Sequence, residues 1–161
     1  MKTRKIISVM AAVCLLIFSL SACTVKSKDP VIASLGRAMS VQLYSVNSVG
    51  DSTEYRIYTF PGANPAENAY FKPVTEESRS ELLEYVDDFE QWVDSMRDDS
   101  SNDLVLNYRF SLGDIDESDY LYIYDRCGEP IGNGKYSKYE DYTVYFFDSQ
   151  TTTLYYFHSN I

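Results

Sequence analysis

Asp114, Asp116 and Ser118 stand at alternate positions, the spacing at which a calcium-binding loop presents its first oxygen ligands. The sixth position of such a loop requires a glycine for its sharp turn and the twelfth a bidentate glutamate; this chain has Asp119 and Asp125 there. The segment therefore reads as an acidic hairpin turn, and no metal ligand is assigned. His158 is the single histidine, which rules out a multi-histidine centre. Cys127 and His158 have the residue types of a nucleophile and base, but only Arg126 beside Cys127 would favour a thiolate. Cys127 is thus expected as a small buried hydrophobe at a strand end, and His158 as a polar residue near another. With 24 acidic residues a chance carboxylate pair is guaranteed, so no catalytic pair is assigned. Gly132-Asn133-Gly134-Lys135 lacks the spacing of a phosphate-binding loop. No catalytic residue and no cofactor follows.

Two surfaces with binding chemistry remain. In Asp119–Arg126, Tyr120, Tyr122 and Tyr124 fall on one side of an extended chain and Leu121 and Ile123 on the other. Tyrosine occurs 15 times against one tryptophan, and its ring and hydroxyl suit binding surfaces as well as half-buried sheets. The second surface is acidic. Between Thr75 and Asp103 eleven acidic residues face only Arg79 and Arg97, and Glu84, Asp87 and Asp88 lie in the middle of the run. Such a field is either a solvated helix face or an attractor for a basic partner.

The elements that must carry these residues are read from hydrophobic periodicity. Residues 39–49 and 54–60 alternate as strands about the turn Gly50-Asp51-Ser52, and Pro61 to Pro73 is a loop. Thr75 then caps a helix with Glu76 and Glu77 in its first turn, followed by Leu82, Val86, Phe89, Val93 and Met96, widened by Tyr85 and Trp92. Leu104 to Leu112 alternates cleanly and is expected as a strand, followed by strands over 119–126, 142–148 and 152–158. The order ββαββββ with hairpin-length connections predicts an α+β domain: a mainly antiparallel sheet of about six strands with one amphipathic helix on one face. Leu121 and Ile123 should face that helix, leaving Tyr120, Tyr122 and Tyr124 on the uncovered face.

The N-terminus supplies an address. Lys2, Arg4 and Lys5 precede the apolar run Ile6 to Leu20 and then Ser21-Ala22-Cys23, the order of a secretory signal. The run is too short for a comfortable transmembrane helix. Leu20-Ser21-Ala22-Cys23 resembles the lipobox of bacterial lipoproteins, an aliphatic and two small residues before a cysteine. The resemblance covers residues 1–23 and implies cleavage after Ala22, diacylglycerol on the Cys23 sulfur, and contact with the lipid bilayer through the Cys23 acyl chains. Two or more acyl chains make a stable anchor. The chain then divides into a signal peptide over 1–22, a lipidated tether over 23–36 and a single domain over 37–161.

Removing the signal leaves 11 basic residues against 24 acidic ones, a net charge of −13. That argues against a general nucleic-acid binder, and against electrostatic docking on anionic lipid. Cys14 leaves with the signal and Cys23 with the lipid, so Cys127 has no disulfide partner and the domain relies on its core. The residues together indicate an extracytoplasmic binding or inhibitory module, of the kind that captures a basic peptide or protein, anchored at the cell membrane. The competing readings are a cell-envelope hydrolase using carboxylates and a structural subunit of an envelope complex.

Overall fold

A computed structural model describes residues 24–98 and 101–161; the expected signal and lipidated Cys23, residues 1–23, lie outside the described residues. The chain forms an α+β domain around a six-stranded antiparallel sheet with one main helix. In chain order the elements are α1 (Pro30–Ser34), β1 (Ser40–Asn47), β2 (Ser52–Thr59), β3 (Lys72–Pro73), α2 (Glu76–Ser95), α3 (Asp103–Asn107), β4 (Tyr120–Asp125), β5 (Pro130–Ile131), β6 (Gly134–Lys135), β7 (Asp141–Asp148) and β8 (Thr153–Asn160). The large sheet runs β1-β2-β8-β7-β4-β3, and β5 and β6 make a separate small ribbon. Hairpins join β1 to β2 and β7 to β8. The return of β8 between β2 and β7 knits the N-terminal and C-terminal halves together.

α2 begins where the residues require it. The Thr75 hydroxyl accepts from the Ser78 amide at 3.2 Å while the Ser78 hydroxyl accepts from the Thr75 amide at 2.9 Å, so two otherwise unpaired N–H groups satisfy each other's side chains. Leu82, Tyr85, Val86, Phe89 and Val93 are buried on its inner face. They meet Tyr55, Tyr142, Val144, Phe146 and Phe157 from the sheet. Phe157 lies at the centre of this core, with ring centroids 5.4 Å from Phe89, 5.0 Å from Phe110 and 5.4 Å from Tyr55. Burying each such ring stabilises the fold by about 1.5–3 kcal/mol.

The opposite sheet face is also covered, which differs from the expectation of one bare face. Val31, Ile32, Leu35 and Ala38 pack there with Phe60 and Phe71 against Tyr58, Tyr145, Phe147, Leu154 and Tyr156. Residues 30–38, expected to belong mostly to a tether, are therefore part of the domain, and Ile32 is only 1% exposed. Asp29 makes this work: its Oδ1 accepts from the amides of Val31 and Ile32 at 2.8 and 3.2 Å, and Pro30 occupies the first helical position, where its missing N–H costs nothing. β7 records the two coverings directly, because all eight of its residues are buried. Among the described residues both core clusters lie between Val31 and Phe157.

The strand expected over residues 104–112 does not form. Asn102 accepts from the amides of Leu104 and Val105, starting α3, and the chain then passes through an extended stretch into a short 3-10 turn at Leu112–Asp114. Leu104 and Phe110 are buried in the α2-side core, whereas Leu106 is 61% exposed. The alternation in this segment thus has no single buried face. The sixth strand is instead β3, only two residues long, which pairs Lys72 with Leu121 and Pro73 with Tyr120.

Candidate functional site

The β4 side chains divide as their alternation predicts. Leu121 is 5% exposed and joins the α2-side core, with Ile123 packed on its margin. Tyr120 and Tyr122 are half-buried in the opposite layer, and Tyr124 at the strand end is 43% exposed. The row is not simply solvent-facing, because α1 and the loop before β3 shield its first part.

Three carboxylates of the acidic helix are engaged by tyrosines from within the fold. Tyr142 donates to Asp88 Oδ2 at 2.9 Å, Tyr108 to Glu90 Oε1 at 3.0 Å and Tyr139 to Glu84 Oε2 at 3.0 Å. Lys138 also reaches Glu84 Oε2, at 2.6 Å, and with Tyr139 it holds the Glu84 carboxyl below the usual glutamate range. Away from the outer face of α2, Tyr85 donates to Asp125 at 2.8 Å, Tyr145 to Asp29 at 2.8 Å and Tyr124 to Glu129 at 3.0 Å. Excess tyrosine and excess acid are thus one feature: phenols donate to carboxylates that would otherwise repel one another. Burial pushes the Tyr142, Tyr108 and Tyr145 hydroxyls up, and each carboxylate partner adds to the shift. Of the three helix residues singled out from sequence, only Asp87 is exposed with no hydrogen bond among the described residues. Glu84, Asp87 and Asp88 also lie across the sheet from Tyr122 and Tyr124, so the two candidate surfaces do not form one site.

The tyrosine layer contains a shallow hollow with room for about 280 Å³, lined by Asp29, Pro30, Val31, Tyr70, Tyr122, Tyr124 and Tyr145. Tyr70 and Tyr145 flank Tyr122 with ring centroids at 5.5 and 5.6 Å, giving a stepped aromatic wall. Asp29 lines it, and Glu129 bonds to its Tyr124. Asp29 receives the Tyr145 hydroxyl, and Glu129 receives the Tyr124 hydroxyl and Arg126 Nε at 2.8 Å. Arg126 and then Tyr124 hold the Glu129 carboxyl below its ordinary range, while Glu129 pushes the Tyr124 hydroxyl up.

The chain's own cations show how its tyrosines are used. Arg56 stacks on Tyr156 at 4.8 Å, Arg126 on Tyr136 at 4.3 Å, and Lys138 lies over Tyr139 at 4.8 Å and Tyr85 at 5.6 Å. Among the described residues none of the hollow's tyrosines carries such a cation. Tyr70, Tyr145, Asp29 and Glu129 were not marked by sequence reasoning. Only Asp29-Pro30 carries a local signal, that of a helix start, which would have drawn residues 29–35 into the domain.

The other candidates resolve into structural roles. Asp119 accepts from the amides of Asp116 and Ser149, Asp116 Oδ1 accepts from the Ser118 amide, and Asp148 Oδ1 accepts from the amides of Gln150 and Thr151. These carboxylates close turns at one end of the sheet. Burial raises the Asp119 carboxyl, whereas the Ser118 bonds lower that of Asp116. Among the described residues no three His, Cys, Asp or Glu side chains converge as a metal site. His158 donates through Nδ1 to the Tyr142 carbonyl at 2.8 Å, beside Thr143. Cys127 is exposed, not buried as expected, because β4 ends at Asp125 and the chain turns outward with the Cys127 amide donating to Asp125 Oδ1. No family model matches this chain, and neither does any curated protein or solved structure.

Proposed function

We propose that this protein is a lipid-anchored extracytoplasmic binding module, inhibitory or protective in kind, that seats a cationic side chain of a peptide or protein in the tyrosine hollow. The observation that carries the reading is the hollow itself: a stepped wall of Tyr70, Tyr122 and Tyr145 beside exposed Tyr124, edged by Asp29, with no cation of the described residues stacked on these rings. An ammonium or guanidinium group over a tyrosine face gains about 0.5–2 kcal/mol, and a nearby carboxylate adds long-range attraction. The surface net charge steers cationic partners toward the domain, and the hollow gives one side chain a defined seat. The acidic helix supplies part of the steering field.

Anchoring rests on the lipobox resemblance at Leu20–Cys23. No helix among the described residues is long and apolar enough to cross a membrane. Cys23→Ala should abolish acyl labelling and membrane retention in cells; retention of the variant at the membrane would remove this part of the proposal.

Binding is tested with short lysine- and arginine-rich peptides titrated into the chain from Thr24 onward, read by amide chemical shifts. Shifts should centre on Tyr122, Tyr124 and residues 29–31. Tyr122→Ala should weaken binding roughly 3- to 30-fold, the span of a cation–ring contact. Equal binding of a neutral peptide of the same length, or shifts confined to α2, would overturn the assignment.

A further inference from the structure

We infer that the lipidated end of the domain is a membrane-docking face, in which Lys26, Lys28 and Arg37 contact anionic headgroups and hold the domain in one orientation on the bilayer. The inference rests on the proposal that Cys23 is acylated, and concerns what that attachment does to a folded domain.

Val25 and Ala38 form an isolated antiparallel bridge, with N–H···O distances of 2.9 and 3.1 Å. Only Thr24 therefore separates Cys23 from a residue fixed to the fold. The Cys23 Cα can stand no more than about 7 Å from that of Val25. A linker this short does not let the domain tumble above the surface. Whatever surrounds Val25 and Ala38 is pressed against the headgroups.

The bridge also decides what that surface is. In an antiparallel pair the residues on either side of the bridge fall opposite one another with their side chains on the reverse side, which places Lys26 across from Arg37 and Thr24 across from Met39. Arg37 Nη1 approaching Thr24 Oγ1 at 3.5 Å agrees with this placement. Lys26, Lys28 and Arg37 are exposed, and none of them belongs to any of the five ion pairs among the described residues. Like charges facing each other across a strand pair repel. Among the described residues neither Lys26 nor Arg37 has a carboxylate within ion-pair distance, and the nearby Asp29 is turned inward to cap α1 and receive Tyr145. Met39, 49% exposed and on the same side as Lys26 and Arg37, adds apolar surface beside the cations. Cations with apolar neighbours at a lipid attachment point match an anionic bilayer surface.

The net charge of the chain does not prevent this. The acidic turn Asp116–Asp119 is at the same end of the sheet but beside β4, four strands from β1. At about 4.8 Å per strand that is roughly 19 Å, twice the Debye length in physiological salt, so each charge acts on its own patch of headgroups.

The test installs the anchor chemically, so that its outcome does not depend on whether cells acylate Cys23. A chain starting at Cys23 with Cys127→Ser is coupled through Cys23 to maleimide-bearing lipid in vesicles of phosphatidylcholine alone or with phosphatidylglycerol. Lysine acetylation by a neutral reagent is then followed by mass spectrometry. Lys26 and Lys28 should react several-fold more slowly on the anionic vesicles, while Lys135, on the ribbon beyond the far end of β4, keeps its rate. Arg37→Ala should reduce the docked population about fivefold, the contribution of one surface cation, and high salt should abolish the protection. Equal rates for Lys26 and Lys28 on both vesicles, or equal protection of Lys135, would overturn the docking face. Loss of acyl labelling at Cys23 in cells would bear on anchoring alone.

Discussion

Raising the pH should unfold this protein through its buried tyrosines, and the structure sets where. Tyr55, Tyr142, Tyr145 and Tyr156 are less than a tenth exposed, and Tyr108 packs between Tyr55 and Phe89. Burial raises all five hydroxyls above their ordinary value of 10.0. Because the folded values lie above the unfolded one, their contribution to stability is complete below about pH 10. It falls as pH rises from there, since the unfolded chain releases protons that the fold retains. At about pH 11 each tyrosine costs about 1.4 kcal/mol, so five cost about 7 kcal/mol. That is comparable to the whole stability of a domain, roughly 5–15 kcal/mol. The carboxylate partners of Tyr108, Tyr142 and Tyr145 sharpen the effect, since a phenolate beside Glu90, Asp88 or Asp29 would face a like charge. Circular dichroism and tyrosinate absorbance recorded on one alkaline titration should show a fraction of the tyrosines ionising only in step with loss of structure. All 15 tyrosines titrating near pH 10 with the sheet signal intact would refute the reasoning.

Asp29→Ala should destabilise the domain by about 2–4 kcal/mol in denaturant titrations, since it removes the cap of α1 and leaves the Tyr145 hydroxyl without its partner. Tyr145→Phe in the same background should recover part of that loss. The Glu84 carboxyl lies below its ordinary value, so what its contact with Lys138 contributes is present above the unfolded glutamate value and disappears as pH falls through the folded one. Carbon-detected titration should show Lys138→Ala returning Glu84 toward the ordinary range. Cys127 should react with a thiol reagent in the native state at a rate unchanged by mild denaturant; protection in the native state would contradict its exposed place after β4.

Much of the architecture was legible because its signals are local. The Thr75 cap, the 3.6-residue stripe from Leu82 to Val93 and the hairpin turns all depend on neighbours in the chain. Leu104 to Leu112 misled because alternation records which residues are apolar, not which are buried, and Leu106 points to solvent. The second layer did leave a trace: Tyr142-Thr143-Val144-Tyr145-Phe146-Phe147 is a nearly unbroken apolar run, the pattern of a strand covered on both faces. Reading it with the helix start at Asp29-Pro30 would have identified the cover.

By itself the sequence determined the α+β class and the face to which Leu121 and Ile123 turn. These follow from composition and from periods of 2 and 3.6 residues, which act over a few positions. Only the tertiary structure decided that the tyrosines and acids pair with each other, since Tyr145 meets Asp29 across 116 residues and Tyr142 meets Asp88 across 54. It also decided that residues 30–38 close the second face and that Val25 pairs with Ala38. Hydrogen bonds between distant residues leave no period in the chain, and so the hollow emerges only once the sheet has brought its parts together.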